Sequence, residues 1–163
     1  MVVGILISVV IIVVVSFFFI SSSQEQEEYL YKRKDFLLNI PERRFFEELQ
    51  KIIPNEYVVF PQVLLSSIVG VSSPKNEFWK YHNKINRKTI DFVIFEKQYL
   101  KPIIAIEYDG KTHNRKDRQD RDEFVNEVLK MSGIKSLHIK HQKNLNFDEI
   151  GKNINNLLSF GFE

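Results

Sequence analysis

The stretch Ile90-Asp91-Phe92-Val93-Ile94-Phe95, followed after the connection Glu96 to Lys101 by Ile103-Ile104-Ala105-Ile106-Glu107-Tyr108, decides the reading of the fold. Both runs are nearly continuously apolar and rich in β-branched side chains, the pattern of strands covered on both faces of a sheet. A connection this short joins antiparallel neighbours, so the two runs form a hairpin.

The flanking sequence extends this core in both directions. On the C-terminal side, Asp117 to Ser132 reads as a helix, with Phe124, Val125, Val128 and Leu129 on one stripe and Gly133 as its stop. Ile134 to Lys140 reads as a strand. Asn146, with Glu149 three residues on, resembles a capping box that opens a helix carrying Phe147, Ile150, Ile154, Leu157 and Leu158 inward. On the N-terminal side, Pro41 suits a first helical turn, and Phe45, Phe46, Leu49, Ile52 and Ile53 follow at helical spacing until Pro54-Asn55. Tyr57 to Leu64 is β-rich, with Pro61 pointing to an edge strand or a bulge. Ser66 to Arg87 reads as irregular or weakly helical. The predicted order is α-β-β-β-α-β-α, an α/β fold over residues 39–163. Its β-α-β step implies a parallel, right-handed crossover.

The beginning of the chain differs in kind. From Met1 to Gln24 there is no charged side chain, and Val, Ile, Leu and Phe fill most of Val2 to Ile20. Twenty residues of helix span about 30 Å, the thickness of a bilayer's hydrocarbon core. A cleaved signal peptide fits less well, because no basic residue precedes the run and Ser21-Ser22-Ser23 is a poor cleavage site. The expectation is therefore a single-pass membrane protein. Residues 1–20 would be a transmembrane helix contacting the membrane through residues 2–20, and residues 21–38 a polar juxtamembrane linker. Lys32, Arg33 and Lys34 after the helix place the C-terminal domain in the cytoplasm.

Overall composition excludes little. The 163 residues carry 23 basic and 21 acidic side chains, a net charge of +2 that neither demands nor forbids a polyanionic partner. The absence of cysteine rules out disulfides and thiolate metal sites, so a metal would need carboxylate, imidazole or carbonyl ligands.

Chemistry concentrates at the hairpin's open end. Strand alternation sends Ala105, Glu107 and Asp109 one way, and Asp91 shares its face with Val93 and Phe95. In a hairpin the three carboxylates converge. Two carboxylates about 5 Å apart repel by roughly 3 kcal/mol at an effective dielectric near 20, and a divalent cation is the usual compensation. Asp and Glu oxygens suit Mg²⁺ best. The following segment supplies Gly110 for a tight departure and His113 as a candidate general acid or base. Lys111, Arg115, Lys116, Arg118 and Arg121 are candidate contacts to a nucleic-acid backbone. Each feature also has a plain structural reading. Asp91 can open a strand after a turn, and Glu107 can pair with Lys88 or Arg121. Asp109-Gly110 is itself a turn signal, His113 can be a loop histidine, and the charge run a solvated helix start.

The series Ile90-Asp91-Phe92-Val93, Ala105-Ile106-Glu107-Tyr108-Asp109-Gly110-Lys111-Thr112-His113, Asp120-Arg121-Asp122 and Leu129-Lys130-Met131-Ser132-Gly133-Ile134 resembles the bacterial family called domain of unknown function 2726. That family is similar to the restriction-endonuclease-like PD-(D/E)xK superfamily, near its very-short-patch-repair-like branch. The resemblance covers about Pro41 to Lys140. It implies an αβββαβ core with a mixed four-stranded sheet. Asp91 would be a metal-binding aspartate, Glu107 the acidic residue of the (D/E)xK pair, and Glu42 a helix-borne acidic residue. Asp109 stands where that motif places its lysine, and His113 stands in nearby. The function so implied is a membrane-anchored, Mg²⁺-dependent, nuclease-like domain hydrolysing phosphodiesters in DNA. In that reading Asp91, Glu107, Asp109 and His113 are catalytic, and the first three hold the metal. The alternatives are a catalytically inactive nucleic-acid-binding module and a membrane-tethered protein-interaction domain of the same fold.

Overall fold

The computed structural model describes residues 4, 10–17, 30–109 and 116–159, giving only the backbone for 116–121. The chain divides into two compact units, Met1–Asp35 and Phe36–Glu163.

In the first unit residues 10–17 are helical, and 30–34 form neither helix nor strand. Among the described residues no helix is long and apolar enough to cross a membrane. This corrects the expected transmembrane anchor, and with it the membrane contact through residues 2–20 and the single-pass, cytoplasm-facing placement. The remainder of that apolar run lies outside the described residues.

The second unit is a mixed α/β fold. Its elements are α1 (Ile40–Ile52), β1 (Tyr57–Leu64), α2 (Leu65–Ile68), α3 (Phe78–Ile85), β2 (Thr89–Glu96), β3 (Pro102–Asp109), α4 (Lys116–Met131), β4 (Lys135–Lys140) and α5 (Phe147–Ser159). The sheet order is β1-β2-β3-β4. Strands β1, β2 and β3 pair antiparallel, and β4 lies parallel to β3 with Ile104 opposite Lys135 and Asp109 opposite Lys140. The hairpin and the parallel step are as the sequence predicts.

Local chemistry fixes the element ends. A capping box opens α1: Asn39 Oδ1 accepts the Glu42 N–H at 2.9 Å, and Glu42 Oε2 accepts the Asn39 N–H at 3.0 Å. Pro61 sits on the edge strand, beside Gln62 at φ 52°. Gly133, at φ +69°, closes α4 in a Schellman motif, with Ile134 N–H donating to Leu129 C=O and Gly133 N–H to Lys130 C=O. Asn146 Oδ1 accepts the Glu149 N–H and starts α5. The segment between β1 and β2, expected to be irregular or weakly helical, holds the two short helices α2 and α3.

Two cores explain the apolar runs. Helices α1 and α5 bury Phe45, Leu49, Ile150 and Ile154 against Phe92, Ile94, Ile104 and Ile106. On the other face, α2, α3 and α4 bury Leu65, Ile85, Val125, Val128 and Leu129 against Ile90, Val93, Phe95 and Ala105. Strands β2 and β3 are thus apolar on both sides because helices cover both sides.

Candidate functional site

The β2–β3 ladder has its last paired positions at Phe92 and Ile106 on the side that leads to Asp91. One step further, Asp91 and Glu107 stand at opposing positions, both half-buried. There the side chain of Asp91 replaces a ladder contact, its Oδ2 accepting the Tyr108 N–H at 2.9 Å. Beyond this point β3 continues beside β4 alone, with Tyr108 opposite Ile139 and Asp109 opposite Lys140. The two strands part where the acidic residues stand, so polar side chains are placed at the rim without entering the core.

The two faces of β3 then carry different chemistry. Ala105 packs with the α3/α4 core and Ile106 with the α1/α5 core, so alternation sends Glu107 and Asp109 toward α4 and Tyr108 toward α1. Asp109 Oδ2 lies 3.4 Å from His138 Nδ1 on β4, and His138 Nε2 lies 2.9 Å from Asn126 Oδ1 on α4. An amide oxygen only accepts, so Nε2 carries the proton in that bond. Asp109 also borders a cavity of about 870 Å³, shared with Asp122, Asn126, Glu127, Lys130 and Lys135.

On the opposite face Tyr108 stacks on Phe45, centroids 4.4 Å apart, and its hydroxyl lies 2.6 Å from His141 Nδ1. Burial, and then the neighbouring Glu42 carboxylate, hold the Tyr108 phenol above the usual tyrosine value. Tyr108 and His141 border a cavity of about 560 Å³ that also takes in Arg44, Glu48 and Lys143.

The sequence-predicted residues fall as follows. Asp91 and Glu107 each stand one position beyond the last β2–β3 pair, and Asp109 follows on Glu107's face beside His138. The carboxylate of Glu42 is engaged in the cap of α1. Lys111, His113 and Arg115 lie outside the described residues, while Lys116, Arg118 and Arg121 stand on the first turns of α4, described there by backbone alone. Four residues at this rim escape a linear reading: Tyr108, Asn126, His138 and His141. The signal for His138 is its register, since it pairs with Glu107 across the parallel β3–β4 step.

The donor set can be weighed against a divalent cation. Among the described residues no group of three or more His, Asp or Glu side chains is arranged to hold a metal ion. Mg²⁺ commonly takes one or two carboxylates and keeps waters for the rest. Asp91 has its Oδ2 on the Tyr108 amide and its Oδ1 in no hydrogen bond among the described residues. Asp91 and Glu107 are thus the residues that a hydrated cation would use at this rim, since no three-carboxylate cage is formed among the described residues.

Comparison with known proteins adds kinship without chemistry. Residues 34–157 match the family described as "Protein of unknown function (DUF2726)". An uncharacterized protein of Haemophilus influenzae is 28% identical over 134 residues, covering 78% of this chain. This chain spans 66% of that relative's length. No solved structure matches the chain at a significant level.

Proposed function

Since the chain belongs to the family described as "Protein of unknown function (DUF2726)", we propose for its α/β domain a nuclease-like role, hydrolysing phosphodiesters in DNA with a divalent cation, Mg²⁺ by preference. The observation that carries this reading is the parting of β2 and β3 at Asp91 and Glu107, which sets two half-buried carboxylates at one rim. With the two short helices between β1 and β2 taken as an insertion, the order α-β-β-β-α-β supports a relationship to the restriction-endonuclease-like superfamily.

In this reading Asp91 and Glu107 hold the cation, and Asp109 supports them as a further ligand or through His138. When bound, Mg²⁺ supplies Lewis acidity toward a phosphoryl oxygen and acidifies a coordinated water. The chain's own part is to position and to move protons. The Tyr108 amide orients the Asp91 carboxylate through its Oδ2. Asp109 stands where the superfamily motif places a lysine, so proton transfer falls to histidine, with His113 as shuttle or phosphate contact. Lys111, Arg115, Lys116, Arg118 and Arg121 meet the phosphate backbone.

The test is calorimetry of the full chain with MgCl₂ and MnCl₂, together with cleavage assays on single- and double-stranded DNA and RNA. Metal-dependent cleavage lost in Asp91→Asn is the expected outcome. No heat of binding and no cleavage of any substrate would sink the reading. One observation favours a second reading, a nucleic-acid-binding module without turnover: no three metal-capable side chains converge among the described residues. That reading requires salt-sensitive binding that survives Asp91→Asn.

A further inference from the structure

Helix α3 carries an aromatic and basic surface that the proposed site does not use. Its inner stripe is conventional: Ile85 is buried in the α3/α4 core, while Phe78 and His82 are partly covered and stack with centroids 5.3 Å apart. The outer side is not conventional. Trp79 is 66% exposed, although a tryptophan there gains nothing from the core. Its ring meets Phe78 edge-on at 83° and His82 edge-on at 85°. Two rings thus stand perpendicular to the indole while most of its surface stays in solvent.

Charge surrounds it. Lys75, Lys80, Lys84 and Arg87 are all exposed along and just beyond this helix. The Lys80 and Lys84 ammonium groups lie 5.3 and 5.9 Å from the Tyr81 ring centroid. The single acid in the segment, Glu77, pairs with Lys80 at 3.2 Å. Spacing of i and i+4 puts Lys80 and Lys84 in one row along α3, about a third of a turn round the helix from Trp79.

We infer that the α3 surface is a binding site for single-stranded nucleic acid, with an unpaired base stacked on Trp79 and the backbone phosphates held by Lys80, Lys84 and Arg87. Stacking platforms interleaved with cations bind single strands, because every unpaired base has a π-face whereas a duplex offers only edges in its grooves. Charge complementarity selects a polyanion, and the exposed indole selects one that carries bases. Position links the surface to the reading above: α3 runs through Arg87 and Lys88 into β2, which bears Asp91. The inference rests on that reading for nucleic acid as the substrate, and it adds where the strand is gripped and that it is unpaired.

Trp79 is the chain's only tryptophan, so its fluorescence reports on this surface alone. Titrating the full chain with oligo(dT) should quench that emission saturably, with affinity falling as salt rises. Fluorescence anisotropy with end-labelled oligo(dT) should show about a 10-fold weaker Kd for Trp79→Ala, a smaller loss for Trp79→Phe, and a loss for the Lys80→Glu, Lys84→Glu double variant. Unchanged affinity in Trp79→Ala overturns the inference. So does equal binding of heparin, which has no bases, or a blue shift with anionic phospholipid vesicles and no response to oligo(dT). If quenching persists and no cleavage is found, this inference stands and the hydrolytic reading fails. Cleavage with oligo(dT) affinity indifferent to Trp79 gives the reverse.

Discussion

The Asp91 carboxylate accepts the backbone N–H of Tyr108 at 2.9 Å, bridging β2 and β3 just past the end of their ladder. This bond gives Asp91 a structural duty separable from any catalytic one. Removing a charged acceptor from a partly buried amide costs about 1.5–3 kcal/mol. Asp91→Ala should therefore lower stability by about that amount in urea denaturation, whereas Asp91→Asn, whose Oδ1 still accepts, should lose less than half as much. Both variants should lose metal binding. Equal stability of the two would show that the bond does not hold the strands together.

Glu107 stands half-buried at the same rim, one position beyond the last β2–β3 pair. Glu107→Gln keeps its size and removes its charge. The expected outcome is a thermal midpoint within a few degrees of wild type, with the calorimetric Mg²⁺ signal and any cleavage abolished. For His113, the candidate proton shuttle, His113→Ala should leave Mg²⁺ affinity intact and slow cleavage by about 10²–10⁴-fold.

Much of this arrangement is legible in the sequence because the signals are local. The apolar runs of β2 and β3 announce coverage on both faces, Pro61 marks an edge strand, and Gly133 marks a helix end whose φ is +69°. Helix α3 is short and buries Ile85 alone, so a single apolar anchor gives periodicity little to report. Partners such as Asp109–His138 and Tyr108–His141 depend on the β3–β4 register, which no single segment encodes. The apolar start of the chain misleads for a different reason. Hydropathy reports the cost of exposing side chains to water and carries no information on how long a helix forms, and no described helix is long enough to span a bilayer.

Tyr108 provides a pH signature. Its phenol is raised above the usual value of about 10, first by burial and then by Glu42. The folded protein keeps this proton after the unfolded chain has released it. The associated stability is therefore complete below about pH 10 and is lost as pH rises through the folded value. Denaturation between about pH 9 and 12 should show a decline that Tyr108→Phe flattens. Glu42→Gln, which can still accept in the α1 cap, should shift the decline only in part, because burial is the larger cause.

Gly133 tests the α4–β4 junction on which the rim depends. At φ +69° it occupies the left-handed region, and a Cβ placed there meets nothing within 4 Å. Substitution thus imposes a backbone cost without a steric one. Left-handed geometry disfavours an L-residue by about 1–2 kcal/mol, with asparagine better tolerated than alanine. Gly133→Ala should lower unfolding free energy by that amount and Gly133→Asn by less, measured in urea with unchanged m-values. Because this turn sets where β4 begins, it sets the register that brings His138 opposite Glu107 and beside Asp109. A stability loss in Gly133→Ala unaccompanied by any change in the His138 ring resonances would mean that the strand, once paired, holds its register without help from the turn.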